Sequence, residues 1–580
     1  MHSSTRANVH VATVLLSGDL IVFGVVPYLN QNDYIRLAGV CSEWRRAILW
    51  AASSTLLPTT TTPIHDKVYS NRLRREKFLQ KIKGRHHDMF QLFSKFEFRD
   101  CQLMNAHFKT MFHSQTISSI QLNNTNFVSS SILPSHVDLK TLKDLHLVNI
   151  TLSTSDVQNI ARGLRHFNKL TLTNNGMDHR GVSLLLQGNY CNLVSFKIFN
   201  PIGCEGVTEL LNSEVISQLK ELFIGNLKSD EQKGVSNIVH NSVHSRDLAK
   251  LESLELLFTR LDPTSFNSIL KRATNLKYLG CKSPLSPEYS SKTIDYTLIS
   301  QMHSIESISF FGSASRTISH QIISHLNHHP NLNRIDFLSL THSQPLQELC
   351  KGNNDLKFFR AYLDITRAED LKTLFTRFQN ITTLILGRCN LNNECLKSIS
   401  LLCNVIDLDV SENVFDSEGV KYLCQMKSLE RINMDSCQNL CDRTLQYISK
   451  GNLIRLNYLS LYHTPITDRG LIFLSESRSL PSLSLLDIGL TQIGDEGLVA
   501  LSKGVLKDQI KDLYLHYTKT GFQGLSRVLT DLKNLKCLCF METNCRWMCL
   551  MTIKLLASFK KVTISKNFLD CDFILNKVVM

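Results

Sequence analysis

One pattern recurs along most of this chain and leaves little freedom in what it can fold into. From residue 93 onward the sequence repeats apolar, two variable, apolar, one variable, apolar, two variable, then Asn, Cys or Thr, one variable, apolar. Clear copies are Leu142-Leu145-Leu147-Ile150-Leu152, Phe167-Leu170-Leu172-Asn175-Met177, Val405-Leu408-Val410-Asn413-Phe415 and Leu456-Leu459-Leu461-Thr464-Ile466. The frame starts nineteen times between residues 93 and 559, on average about 26 residues apart, and self-similarity at such a period marks a solenoid. A chain of 580 residues is in any case too long for one hydrophobic core, so several domains or an extended array are required.

Each half of the repeat carries its own signal. Apolar alternation predicts a short strand with one buried face. The ninth position is Asn at 175, 413 and 567, Cys at 101, 389 and 437, and Thr at 125, 259, 464, 491, 518 and 543. Such side chains can turn inward and bond backbone groups where the strand bends away. A helical period follows, as in residues 416–423, 467–474 and 495–501. There Asp416, Thr467 or Asp495 is expected to cap the helix, an acidic residue sits in the first turn, and apolar residues recur at i, i+3 and i+4.

Strand plus helix stacked in parallel predicts an α/β horseshoe solenoid, strands on the concave face and helices on the convex. The units resemble leucine-rich repeats of the ribonuclease-inhibitor-like and cysteine-containing subclasses across residues 93–580. Two units fit poorly, because those starting at 276 and 356 place Pro284 and Asp364 at the ladder position. Longer gaps put insertions at 229–246 and 282–297, which a solenoid accommodates as loops on one rim.

Residues 12–50 carry a different signal. They read as a short helical hairpin with a turn at Asn30-Gln31-Asn32, too small to bury its apolar residues alone. Tyr28, Leu29, Asp33, Ile35, Leu37, Val40, Cys41 and Trp44 fit the F-box pattern of Tyr-Leu, three residues, Asp, then an apolar stretch ending Val-Cys-x-x-Trp. The front half departs from it: Ser17 stands where the family has Pro, and the run to Tyr28 is one residue longer. This segment resembles an F-box, and a generic helical cap on the solenoid is the competing reading. The resemblance implies docking onto the Skp-type adaptor of a cullin–RING ubiquitin ligase through Leu16, Leu20, Leu29, Ile35, Leu37, Val40 and Trp44. The repeats behind it would then select the protein to be ubiquitinated. Residues 51–92 form a linker, Ser/Thr-rich to Pro63 and then a basic helix over 66–83.

The residues flanking the buried strand positions face the concave side and are where a partner would be met. They include Asp336, Asp407, Asp409, Asp435, Asp487 and Asp512, with Tyr362, Tyr458, Tyr462 and Tyr514, and with Phe199, Phe223 and Phe311. On a chain of net charge +13, an acidic stripe with interleaved tyrosines suits a Lys/Arg-rich segment of a protein substrate. Asp between two strand leucines is also common in such repeats, so the stripe has a purely structural reading too.

Signs of chemistry are sparse. No phosphate loop, His-Glu-x-x-His, nucleophile elbow or kinase signature occurs. Cys537, Cys539, Cys545 and Cys549 cluster, but a strand and a following helix would point them apart, so no metal or other cofactor is expected. His86-His87 and His328-His329 read as exposed pairs. Seventeen cysteines, an odd number without paired spacings, fit a reduced cytoplasmic or nuclear compartment. The apolar stretch near residues 9–29 is interrupted by Gly18 and Asp19, unlike a signal peptide. No window is apolar enough to cross a membrane. The expectation is a non-catalytic binding subunit of an SCF-type ubiquitin ligase, without nucleic-acid or membrane partners. A ligase-independent leucine-rich scaffold or inhibitor is the alternative.

Overall fold

The computed structural model describes residues 95–99, 102–103, 118–124, 126–127, 140–225, 247–257, 263–282, 295–311, 325–326, 329–340, 344–352, 355–363, 367–541, 543 and 562–565. The chain divides after Thr274 into two compact units. In the first unit, strands Lys95–Arg99, Ser119–Asn123, Asp144–Val148, Lys169–Thr173, Ser195–Phe199, Glu221–Gly225 and Ser253–Leu257 pair in chain order, every pair parallel. In the second, twelve strands run from Tyr278–Lys282 to Thr563–Ser565, again parallel and in chain order. Every start of the sequence frame carries one of these strands. The fold is the α/β leucine-rich-repeat solenoid.

The frame explains the packing. In the second unit the central residue of each strand lies beside its counterpart one repeat away, as Leu384, Leu408, Ile432, Leu459, Leu486 and Leu513 do. All six are at most 1% exposed. Burying each such side chain contributes about 1.5–3 kcal/mol, and the helices supply the opposite wall. Helix Asp495–Lys503, for example, buries Leu498 and Leu501. Adjacent strands lie about 4.8 Å apart whereas adjacent helices need about 10 Å, so the stack within each unit must bend with its strands inside.

The ninth-position residues divide by reach. Asn413 binds two repeats: its amide donates to the carbonyls of Leu386, Val410 and Ser411, and its Oδ1 accepts from the N–H groups of Cys389 and Leu391. Cys389 and Cys437 each reach one carbonyl of the preceding repeat, on Ala361 and Val410. Thr464, Thr491 and Thr518 each donate to the carbonyl three residues back, within their own repeat. In the first unit Asn200, one residue ahead of the frame, does the work of the ladder. It donates to the Leu172 carbonyl and accepts from the Asn175 N–H. Pro201 holds the ninth position there and has no N–H or polar side chain.

Helix capping differs from the sequence expectation at Asp495. Asp416 and Thr467 cap their own helices, accepting from the Glu418 and Arg469 N–H groups. Asp495 lies inside its helix, behind the cap residue Gly494. Its carboxylate turns to the next repeat and accepts from the N–H groups of Gly521 (2.6 Å) and Gly524 (2.9 Å). Asp468 does the same for Gly494 (2.7 Å) and Gly497 (2.9 Å). The starts of helices Asp495–Lys503 and Phe522–Asp531 are thus neutralised by a carboxylate of the repeat before, where unpaired N–H groups and the helix dipole favour negative charge.

The insertion at 229–246, residues 283–294 of the insertion at 282–297, Pro284, Asp364 and the basic segment 66–83 lie outside the described residues. His329, expected at the surface, is 1% exposed: it follows the buried Leu326 in the turn that leads into strand Arg334–Leu340.

Candidate functional site

Because strand side chains alternate, the residues on either side of each buried leucine form continuous rows on the strand face. In the second unit one row runs Arg334, Phe358, Thr383, Asp407, Arg431, Tyr458, Leu485, Asp512 and Cys537. The row beside it holds Asp336, Arg360, Asp409, Asn433, Ser460, Asp487, Tyr514 and Cys539. Past the strands the parallel pairing continues, with the Ser436 N–H on the Tyr462 carbonyl and the Leu490 N–H on the His516 carbonyl. This brings Asp435, Tyr462 and His516 into a third row. Tyr362 falls on strand Phe358–Leu363, two residues after Arg360.

The acidic residues have unlike surroundings. Asp336 lies between two guanidinium groups, 3.7 Å from Arg334 and 3.8 Å from Arg360, and is 2% exposed. Asp407 faces Arg431 at 3.5 Å, and that guanidinium stacks over the Tyr458 ring at 4.2 Å. Burial raises both carboxyls above the usual range, and their arginines oppose the shift. Asp512 is also raised by burial, against the pull of Lys536 and Lys511.

Asp435, Asp409 and Asp487 form an acidic cluster. Asp435 Oδ1 accepts from the Ser460 hydroxyl and, at 2.9 Å, from the Tyr462 N–H. Asp409 accepts from the Ser411 N–H and Asp487 from the Gly489 N–H. Burial, and then the neighbouring Asp487, pushes the Asp435 carboxyl up to about 8. Burial likewise lifts Asp409. Asp435 therefore holds its proton at neutral pH, and the stripe carries less negative charge than its composition implies. Beside it Tyr458, Leu485, Tyr514 and Cys539 pack into one buried cluster with Cys537 at its edge. Burial moves the Tyr458 hydroxyl above its usual range and lowers His516 to about 4, so His516 is neutral.

Along its rows the face passes from an arginine-rich end, through a partly protonated acidic centre, to an aromatic and thiol patch. Nothing in this arrangement resembles a nucleophile with its base. In the first unit the half-buried Phe223 lies 4.1 Å beneath the Lys197 ammonium, which is also 3.9 Å from Glu221.

A feature missed in sequence is the left-handed backbone that many repeats, though not the one holding Asn200, adopt at the eighth frame position. In the first unit it is Asn124, Asn149 and Asn174, linked amide to amide at 2.6 and 2.9 Å. In the second it is Arg388, Glu412, Ser436, His463, Leu490 and Tyr517. Asn every 25 residues was the available signal; Leu490 and Tyr517 gave none, because such residues avoid this conformation.

The proposed adaptor-facing residues Leu16, Leu20, Leu29, Ile35, Leu37, Val40 and Trp44 lie outside the described residues, as do Cys545, Cys549, His86, His87 and His328. No group of three His, Cys, Asp or Glu side chains placed to hold a metal occurs among the described residues.

Comparison with known proteins agrees with the class defined by this fold. The family model described as Leucine Rich repeat matches residues 402–424 and 479–502. The chain is similar to human "NACHT, LRR and PYD domains-containing protein 3", 26% identical over 254 residues, which is 40% of this chain and 24% of that protein. The protein of the same name from Macaca mulatta is 25% identical over 256 residues, again 40% of this chain and 24% of the relative. That from Rattus norvegicus is 27% identical over 172 residues, 27% of this chain and 16% of the relative. The chain thus spans at most 24% of the length of these curated relatives. Among solved structures it is similar to the TLR13–ssRNA13 complex, with a TM-score of 0.43 and 14% identity over 76% of this chain and 64% of that one.

Proposed function

We propose that this chain is the substrate-recognition subunit of an SCF-type cullin–RING ubiquitin ligase. In this reading residues 12–50 act as the F-box and bind a Skp-type adaptor, while the strand face of the repeats holds the target protein. The broader statement, a leucine-rich-repeat protein-interaction scaffold, rests on the repeats themselves. One observation supports recognition at the strand face: its rows place arginines, carboxyls and tyrosines on a single platform in the second unit. Tyrosine and arginine anchors with satellite charges are the composition of protein-binding hot spots. The adaptor half rests on the sequence match from Tyr28 to Trp44. The subunit itself is non-catalytic, needs no cofactor, and works in the cytoplasm or nucleus.

A ligase-independent scaffold or inhibitor is the second reading, favoured by the similarity to NACHT- and LRR-containing relatives. One experiment separates the two. The full chain, purified from cells, is tested for a co-purifying Skp-type adaptor beside Leu29→Asp and Trp44→Ala variants. Adaptor present in the wild type and lost in both variants supports the ligase subunit. Adaptor missing from the wild type, or retained by both variants, removes it and leaves the scaffold.

A further inference from the structure

We propose that a pocket on the rim of the second unit, where strand ends turn into helices, holds a lysine or arginine side chain of the protein partner. This rests on the reading of the repeats as a protein-interaction scaffold, common to both alternatives above, and adds a site apart from the strand-face rows. The pocket measures about 510 Å³ and is lined by Asn392, Asn393, Glu394, Val414, Asp416 and Asn439, from three successive repeats, with Phe415 at its base. An irregularity of the sequence supplies one wall. Two residues separate the ladder residue Asn413 from the helix cap Asp416, and two separate Thr464 from the cap Thr467. Between Cys437 and the cap Cys441 there are three. Leu440 takes the core place that Phe415 fills one repeat earlier, both being at most 2% exposed, so Asn439 is the extra residue. It is exposed, and its amide reaches back to the Val414 carbonyl at 2.6 Å.

The bonds made within the pocket leave acceptors over. Asp416 Oδ1 accepts from the Glu418 N–H at 2.8 Å and from the Asn393 amide at 2.9 Å, while Asn393 Oδ1 accepts from the Asp416 N–H at 3.0 Å. Asn392 Oδ1 accepts from the Cys395 N–H at 3.1 Å. Glu394 Oε2 meets the Lys397 ammonium at 3.3 Å, and that ammonium also lies 5.9 Å over the Tyr422 ring. No described residue donates to Asp416 Oδ2, Glu394 Oε1 or Asn439 Oδ1. Val414, 49% exposed, adds apolar surface to the same pocket.

Charge and shape select the occupant. With Lys397 counted, the carboxylates of Glu394 and Asp416 leave one negative charge. A phosphate or a partner carboxylate would be set against both acids. A lysine ammonium brings one positive charge and three donors, which match the three unused acceptors. Its methylene stem can lie along Val414, as long cationic side chains cover apolar surface while keeping their charged end in a polar setting. An arginine serves the same acceptors through its planar fork of N–H groups.

A library of short soluble peptides of random sequence is passed over the immobilised full-length chain. Retained peptides are expected to be enriched in Lys or Arg. The best of them should bind about tenfold more weakly to Glu394→Gln/Asp416→Asn, the scale of losing two partly exposed charge pairs. Asn caps a helix as well as Asp does, so this variant keeps the start of helix Ser417–Leu423. Val414→Lys, which sets a cation of the chain itself at the pocket from an exposed position, should weaken the same peptide by a similar factor. Asp409→Asn/Asp487→Asn, on the strand face, should leave it bound. Retention without Lys or Arg enrichment, or a best basic peptide held equally by the wild type and both pocket variants, overturns the pocket alone. Retention of no peptide by the wild type overturns the protein-interaction reading as well.

Discussion

The cap that Asp468 lends to the helix of the next repeat makes an unusual prediction for Gly497. Replacing glycine by alanine inside a helix ordinarily stabilises it by about 1 kcal/mol. Here a Cβ on residue 497 would lie 2.5 Å from Asp468 Oδ1 and 3.1 Å from the Asp468 backbone, so the carboxylate must leave. Its departure breaks the bonds to Gly494 and Gly497 at 2.7 and 2.9 Å. Two hydrogen bonds to a charged acceptor contribute about 3 kcal/mol or more together. Set against the propensity gain, Gly497→Ala should destabilise helix Asp495–Lys503 by about 2 kcal/mol. Amide hydrogen exchange of that helix reads the change locally, which suits a repeat protein whose parts open separately. Exchange should accelerate by about thirty-fold, since about 1.4 kcal/mol is a factor of ten. In an Asp468→Ala background the same Gly497→Ala change should cost nothing, or stabilise, because the cap is already gone. Slower exchange in the single variant, or an equal cost in both backgrounds, would refute the inter-repeat cap.

Asn413→Ala should cost about 3–4 kcal/mol in an unfolding titration, whereas Thr491→Val, which removes one local bond, should cost about 1. Leu490→Asn and Tyr517→Asn should each raise the melting temperature, because Asn adopts left-handed backbone at a saving of about 1 kcal/mol. The Asp435 carboxyl titrates at about 8 in the fold but near 3.9 when unfolded. Its proton therefore favours the folded state, with full effect below the unfolded value and declining as pH rises through about 8. Melting curves at pH 6 and pH 9 should show a smaller loss of stability for Asp435→Asn than for the wild type, and an equal loss would reject the buried protonated carboxyl.

The strand face shows how far the sequence could be read. Residues flanking Leu408 and Leu459 had to face one side, so Asp407, Asp409 and Tyr458 belong to one surface on alternation alone. Their electrostatics did not follow. Asp336 and Asp407 looked like members of an anionic stripe, but their arginine partners sit a repeat away or two residues along the same strand. Asp435 looked charged, yet burial beside Asp487 keeps it neutral.

The sequence by itself determined the repeat, the strand in each unit and the buried leucines, because period and apolar spacing are properties of local geometry that every repeat enforces on the next. Only the tertiary structure decided which carboxylate serves which helix, which acid meets which arginine, and which positions tolerate left-handed backbone. Those outcomes depend on contacts between residues about one repeat apart, and stacking the repeats is what brings such residues within bonding distance.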